Sequence, residues 1–234
     1  MTEIDGRSLM RLHIETLFTH DASRRMLRVN EPDGKPAPRV FIGRTAHGHE
    51  LRVRDDVDAD LTRVLTSVFT SEPEDDELLD PPHGSPAYVA ALGRVAPVER
   101  IWAGPAFCFP SALPRASRAV HVTMENASLL HRYLPDWLGD VAFRQPFFAT
   151  VIDGHAVSVC CSVRIGDVGD EAGVETTIDF RGRGHAADTV IAWAAAVRAL
   201  GRIPLYSTSW QNMASRALAQ KLGLVRFGSD LHLT

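Results

Sequence analysis

Apolar and polar positions change rhythm several times along this chain, and the sharpest change falls between residues 174 and 200. The β-branched run Val174-Glu175-Thr176-Thr177-Ile178 predicts a strand. Arg181-Gly182-Arg183-Gly184-His185-Ala186 then reads as a short turn. From there Ala187, Val190, Ile191, Ala194 and Val197 repeat at helical spacing, with Trp193 beside them and Gly201 as the stop. This stripe predicts a helix that holds the turn against a sheet. Ile203-Pro204-Leu205-Tyr206-Ser207-Thr208 reads as the next strand, with its proline near the start, where a missing donor does least harm. A second helix is expected from Asn212 to about Leu224, followed by a last strand.

Upstream, Ala119–Met124 alternates as a strand does, and Glu125-Asn126 leads into an expected helix bearing Leu129, Leu130, Tyr133 and Leu134. Phe147–Ile152 and Ala156–Arg164 flank Asp153-Gly154, the strongest short hairpin signal in the chain. Gly166–Asp170 is read as a turn. Nearer the start, Glu15–Phe18 and Arg25–Val29 suggest a hairpin, with a helix over Leu9–Phe18 as the competing reading. Two strands are expected at Arg39–Gly43 and Glu50–Arg54, then a helix capped by Asp58 or Asp60, a short helix over Ala87–Val95 and a strand over Ile101–Phe109. The acidic run from Glu72 to Asp80 repels itself and is expected to be an exposed loop. The prolines and small residues of Ser111–Ala116 mark a boundary, giving an N-terminal region 1–116 and a C-terminal domain 117–234.

Composition narrows the function classes. Hydrophobic content of 45% and charged content of 23% over 234 residues are those of a globular protein. No apolar run reaches the length of a membrane span, and the opening Met-Thr-Glu-Ile-Asp-Gly-Arg has no apolar signal core, so a cytoplasmic protein without a membrane partner is expected. Cys108, Cys160 and Cys161 cannot all pair, and the adjacent two point to opposite faces of a strand, so they read as reduced thiols. The net charge of −4 lies wholly in residues 1–116, which carry 18 acids against 14 bases. That excess argues against nucleic acid. It is compatible with a cationic or amine substrate, and solubility explains it equally well. His47-Gly48-His49 lacks further ligands at zinc spacing, and Asp55, Asp56, Asp58 and Asp60 lack the glycine and closing glutamate of a calcium loop, so no metal is expected.

The junction at 181–186 carries the candidate chemistry. The first N–H groups of a helix have no internal partners and point one way. Glycines at 182 and 184 let a ligand approach the main chain without meeting a Cβ. With Arg181, Arg183 and the positive end of the helix dipole, they form an anion cradle suited to a pyrophosphate. Glycines between a strand and a helix also serve as plain punctuation.

Arg181-Gly182-Arg183-Gly184-His185-Ala186 resembles the (Gln/Arg)-x-x-Gly-x-(Gly/Ala) acyl-CoA loop of the GNAT superfamily of N-acyltransferases. Asn212-Met213-Ala214-Ser215-Arg216-Ala217-Leu218-Ala219-Gln220-Lys221-Leu222-Gly223-Leu224 is similar to that superfamily's next helix, with a leading Asn and a closing Lys-Leu-Gly. The resemblance covers residues 117–234 and implies a mixed-sheet α/β GNAT-like core, with an additional small N-terminal α/β region. It implies acetyl-CoA as co-substrate, held by Thr176, Thr177, Arg181, Gly182, Arg183, Gly184, His185, Ala186, Asn212 and Ser215. In such proteins the strands on either side of the first helix part, and the pantetheine arm enters between them, pairing like an added strand with main chain around Glu175 and Thr176.

An N-acetyltransferase of this kind works by direct attack of an amine on the thioester. The backbone N–H of Thr176 is then the expected oxyanion donor and Glu175 the expected base, with His121 and His185 as alternatives. Glu175 also reads as a solvated strand carboxylate, and Asn212 also reads as a helix cap. Where many members carry a proton-donating tyrosine, this chain has Ala219, and Tyr206 is not at the matching position. A rival reading is therefore an acyl-CoA-binding or regulatory module without turnover. The expected acceptor is a small-molecule or peptide amine, and neither its identity nor an oligomeric state (a homodimer included) follows from the sequence.

Overall fold

The computed structural model describes residues 4–32, 34–73, 82, 84–114 and 118–234. The acidic run from residue 74 onward and the end of the expected boundary at 115–116 lie outside the described residues. In chain order the elements are α1 (Gly6–Leu17), β1 (Phe18–His20), β2 (Met26–Val29), β3 (Val40–Thr45), β4 (Gly48–Val53), α2 (Ala59–Thr70), α3 (Ser85–Gly93) and β5 (Ile101–Cys108). They continue as β6 (Ala119–His121), β7 (Phe147–Ile152), β8 (His155–Ile165), β9 (Gly169–Thr176), α4 (His185–Ala199), β10 (Ile203–Ser207), α5 (Met213–Lys221) and β11 (Val225–Leu233).

Two compact units result. One comprises Met1–Phe107, Ser207–Met213 and Arg226–Thr234; the other comprises Cys108–Tyr206 and Ala214–Val225. In the first, β3 pairs antiparallel with both β4 and β11, so the last strand of the chain lies beside the third. Every residue of β3 is buried, because both faces of the strand are covered. Val40 and Ile42, with Leu231 and Leu233, meet Leu61 and Leu65 of α2 and Tyr88 and Leu92 of α3. Phe41 points the other way, toward His13 of α1, their rings 6.5 Å apart. The helices start where side chains replace missing partners: Asp5 accepts from the Ser8 N–H at 2.9 Å, and Asp58 from the Leu61 N–H at 2.8 Å.

In the second unit β6, β7, β8 and β9 are antiparallel neighbours, and β10 joins β9 in parallel. The β9–α4–β10 succession lays α4 across β7, β8 and β9. Trp193 of α4 donates its indole N–H to Ser162 at 3.0 Å, which marks Ser158, Cys160 and Ser162 as the α4 face of β8. On the opposite face Phe147, Ala149, Val159 and Cys161 pack against Leu130, Leu134 and Val141.

The expected mixed α/β sheet is present, with local differences. The expected helix bearing Leu129–Leu134 is replaced by two 3-10 helices, Ala127–Leu130 and Pro135–Asp140. Pro135 has no N–H to continue a helix and Gly139 weakens one. The expected strand Val174–Ile178 starts earlier and ends earlier: β9 begins at Gly169, inside the expected turn, and ends at Thr176. Ile178–Phe180 forms a 3-10 turn instead, with the Phe180 N–H donating to the Thr177 carbonyl at 3.0 Å. Near the start, the helix and hairpin readings each hold in part, because α1 runs to Leu17 and the hairpin strand begins at Phe18.

Candidate functional site

The geometry of interest begins where two neighbouring strands part. β9 and β10 are in register at Gly169↔Ile203, Asp170↔Pro204 and Glu171↔Leu205. Among the described residues the pairing stops there, although β9 continues to Thr176. Its other edge stays paired with β8 as far as Ser158↔Thr176. Alternation decides which groups the open edge offers. The Thr177 N–H donates to Val157 at 3.0 Å, so Glu175 and Gly173, of the same parity, turn their main-chain groups toward β8. Val174 and Thr176 turn theirs toward the gap. Arg181 reaches the Thr176 carbonyl from that side at 3.1 Å. Of the two residues named from the sequence, Thr176 turns its main-chain groups toward the gap and Glu175 does not.

Beyond Thr176 the chain turns through Gly182 (φ +74°) and Gly184 (φ +85°), values that side-chain-bearing residues rarely adopt. Gly184 is the N-cap of α4, and its carbonyl accepts the first intrahelical bonds from Ala187 and Asp188 at 3.1 and 3.3 Å. The N–H groups of His185 and Ala186 precede those bonds, at the open mouth of the helix. Two cations not expected at the site flank this mouth. A Cβ on Gly184 would lie 3.6 Å from Lys221 Nζ and 3.7 Å from Arg118 Nη2. Arg118 is held by an ion pair of 2.6 Å to Asp188 in the first turn of α4. Arg183 lies over the Phe180 ring at 5.5 Å, and Arg181 and Arg183 are both exposed.

His185 is buried, and its carbonyl accepts from the Thr150 hydroxyl at 3.1 Å, tying the start of α4 to β7. Burial, reinforced by Arg118 and Arg183, holds its imidazole below the ordinary histidine pKa, so it is neutral at pH 7. His121 is exposed and bonds Gln145 at 2.9 Å.

Glu175 projects from the face of β9 opposite α4, and Trp137 donates its indole N–H to the carboxylate at 2.6 Å. The Thr176 and Ser158 hydroxyls lie 2.7 Å apart on the α4 face, and the Thr177 hydroxyl donates to Val157 at 3.2 Å. Ser215 of α5 bonds the Tyr206 hydroxyl at 2.6 Å. Asn212 belongs to the segment Ser207–Met213 of the first unit, where its N–H donates to Ser209 at 3.1 Å just before α5 begins. Sequence reasoning missed Arg118, Lys221, Trp137 and the parity of Val174. Lys221 stood within the quoted Lys-Leu-Gly, but nothing there told where its side chain points. Among the described residues no group of three His, Cys, Asp or Glu side chains is arranged to hold a metal ion, and no helix is long and apolar enough to cross a membrane.

No protein-family model and no curated protein matches the chain. Solved structures do. An acetyltransferase of the GNAT family from Colwellia psychrerythraea aligns with a TM-score of 0.50 at 13% identity, over 79% of this chain and 75% of that one. A GCN5-related N-acetyltransferase-like protein from Streptococcus suis aligns over 98% of both chains at 15% identity, with a TM-score of 0.48. A GNAT-family acetyltransferase from Novosphingobium aromaticivorans matches at 21% identity and a TM-score of 0.47; it covers 58% of this chain, which spans 65% of that protein's length. The chain therefore has the fold of the GNAT acetyltransferases.

Proposed function

We propose that the chain is an N-acetyltransferase that moves the acetyl group of acetyl-CoA to an amine by direct attack. The observation that carries this is the edge of β9 beyond Glu171, which among the described residues pairs with no strand and runs toward the Gly184 mouth between Lys221 and Arg118. A diphosphate matches a helix mouth with two flanking cations, and the cradle is one that a Cβ would enter. In this reading Arg181, Gly182, Arg183, Gly184, His185 and Ala186 hold the diphosphate. Thr176, Thr177 and Ser215 meet the pantetheine arm. Lys221→Ala is expected to weaken CoA binding about tenfold at low salt and less at high salt, as removal of a partly screened charge does. Calorimetry at two ionic strengths checks it.

The amine must lose a proton as the new bond forms, and Glu175 takes it, directly or through water. The Thr176 N–H donates to the developing oxyanion, with Val174 facing the same way. Trp137 fixes the Glu175 carboxylate. Glu175→Gln retains an acceptor for that indole but cannot take a proton. Its kcat is expected to fall about 100-fold or more, with CoA affinity unchanged. A Glu175→Gln enzyme at full rate removes Glu175 from the chemistry. Residues 1–116 are a substrate-side or accessory region, and the acceptor is a small-molecule or peptide amine.

Ala219, fully buried on α5 with no proton to give, favours the second reading of a CoA-binding module without turnover. Thiol release from acetyl-CoA across a panel of amines separates the two. Turnover with any amine supports the enzyme, whereas tight CoA binding with none supports the module.

A further inference from the structure

Strand parity gathers a set of charges on the α1 side of the first unit. Leu51 and Val53 of β4 turn toward the core formed with α2 and α3, so Glu50 and Arg52 project from the opposite face. Their partners on β3 are Gly43 and Phe41, and Phe41 faces α1. That helix brings Arg7 and Arg11, four residues apart and therefore on one stripe. Each donates its Nε–H to the same Glu50 oxygen, Oε1, at 2.7 Å, and Arg52 donates from Nη1 to Oε2 at 2.9 Å. Gly48, at φ +109°, lies against the Arg7 stem, where a Cβ would stand 3.4 Å from Cδ.

The charges do not balance. Glu50 is only 5% exposed. Burial pushes its carboxyl up, but Arg7, Arg11 and Arg52 outweigh this and hold it below the usual carboxylate value, so it is ionised at pH 7. Three guanidiniums, always charged, thus share one carboxylate, which is their ion-pair partner among the described residues. Asp5 is spent on Ser8, and Glu15, further along α1, acts on His20. One forked guanidinium is enough to match a carboxylate, and like charges at i, i+4 on a helix repel. A network built only to hold Glu50 would not need both Arg7 and Arg11. Their side chains are 45% exposed with Nε committed inward, which leaves the Nη groups to solvent.

We infer that Arg7, Arg11 and Arg52, gathered by Glu50, form an anion site that takes a phosphate group, free or borne as a monoester. Two unmatched positive charges call for a dianion, and the N–H forks of neighbouring guanidiniums match phosphate oxygens. Glu50 is the positioning residue. By fixing the Nε ends it leaves less side-chain freedom to lose when the anion binds. The site stands whether or not the chain transfers an acyl group.

Calorimetry on the full chain tests it, at low salt and with saturating CoA, so that the α4 mouth is already filled. Inorganic phosphate and glycerol 3-phosphate are the probes. A Kd of about 1 mM or tighter is expected for inorganic phosphate, with acetate, which carries one charge, about tenfold weaker or more. Equal binding of glycerol 3-phosphate shows that the site accepts an ester, whereas binding of inorganic phosphate alone makes the free ion the ligand. Arg7→Gln combined with Arg11→Gln should bind phosphate about tenfold more weakly or worse, with CoA affinity within about twofold of wild type. Arg7→Lys combined with Arg11→Lys keeps the charges without the forks and should lose about three- to fivefold. Should the glutamine chain unfold, the lysine chain decides. Weaker binding of both probes than about 1 mM overturns the inference, and so does acetate binding as tightly as phosphate, or wild-type phosphate affinity in either folded variant. A chain that takes phosphate through Arg7 and Arg11 but binds no CoA ends the acyl-transfer reading alone.

Discussion

A Gly184→Asp chain should bind CoA at least 100-fold more weakly than the wild type, a loss of about 2.7 kcal/mol or more. Two effects add, and they can be separated. At φ +85° a residue with a Cβ costs roughly 1–2 kcal/mol of backbone strain, and this falls on folding as well as binding. The carboxylate has a larger effect on the ligand. Space exists for the new Cβ, since its nearest neighbours are Lys221 Nζ at 3.6 Å and Arg118 Nη2 at 3.7 Å. Those neighbours are the cations that a diphosphate would use. The new carboxylate satisfies them from within, sits at the positive end of α4, and repels the incoming phosphates. Gly184→Ala carries the same strain without the charge and should lose only a few-fold. Calorimetry on both variants reads the difference. A folded Gly184→Asp protein with wild-type CoA affinity would remove the helix mouth from the binding site.

The parts of this site that were legible in the sequence are those that local backbone physics dictates. Gly182 and Gly184 occupy positive φ, where other residues are strained, so their positions announced a turn and an open cradle. The apolar stripe of α4 and the Asp153-Gly154 hairpin are equally local: one needs only period 3.6, the other only a tight turn between alternating strands. What stayed hidden depends on contacts distant along the chain. Arg118 and Lys221 converge on Gly184 from elements far away in sequence, and nothing in their own neighbourhoods says so. The Trp137–Glu175 bond joins a 3-10 helix to β9 in the same way. The direction of Tyr206 depends on strand parity counted from where β10 meets β9, and that requires the register. The helix expected over Leu129–Leu134 failed for a different reason. Its apolar spacing was real and its burial occurs, with Leu130 and Leu134 in the core, but Pro135 and Gly139 forbid a continuous α-helix.

The largest stability effect is expected in the first unit, at Asp230 in β11. His13 Nε2 and Asp230 Oδ2 are 2.9 Å apart with both side chains wholly buried, and His232 Nε2 approaches the same oxygen at 3.4 Å. The surroundings are aromatic: His232 stacks 4.6 Å from Trp102 and 4.9 Å from Phe41, and His13 meets Phe227 at 5.9 Å. Burial pushes the Asp230 carboxyl up, but His232 and His13 outweigh it and hold it below the usual carboxylate value. Removing one partner of such a pair costs about 3–5 kcal/mol, because the other polar groups stay buried without their match. At roughly 2–4 °C per kcal/mol for a chain of this size, Asp230→Ala should melt about 10 °C or more below wild type at pH 7. The sign with pH follows from the direction of the shift. A carboxyl whose folded pKa lies below its unfolded value, about 3.9, contributes its full stability above that value and loses it as pH falls through the folded one. The melting difference between wild type and Asp230→Ala should therefore be widest near neutrality and shrink as pH is taken below 4. Melting curves for both chains from pH 7 to pH 3 measure it. A difference that stays constant across that range would mean that Asp230 acts through its shape and not through its charge.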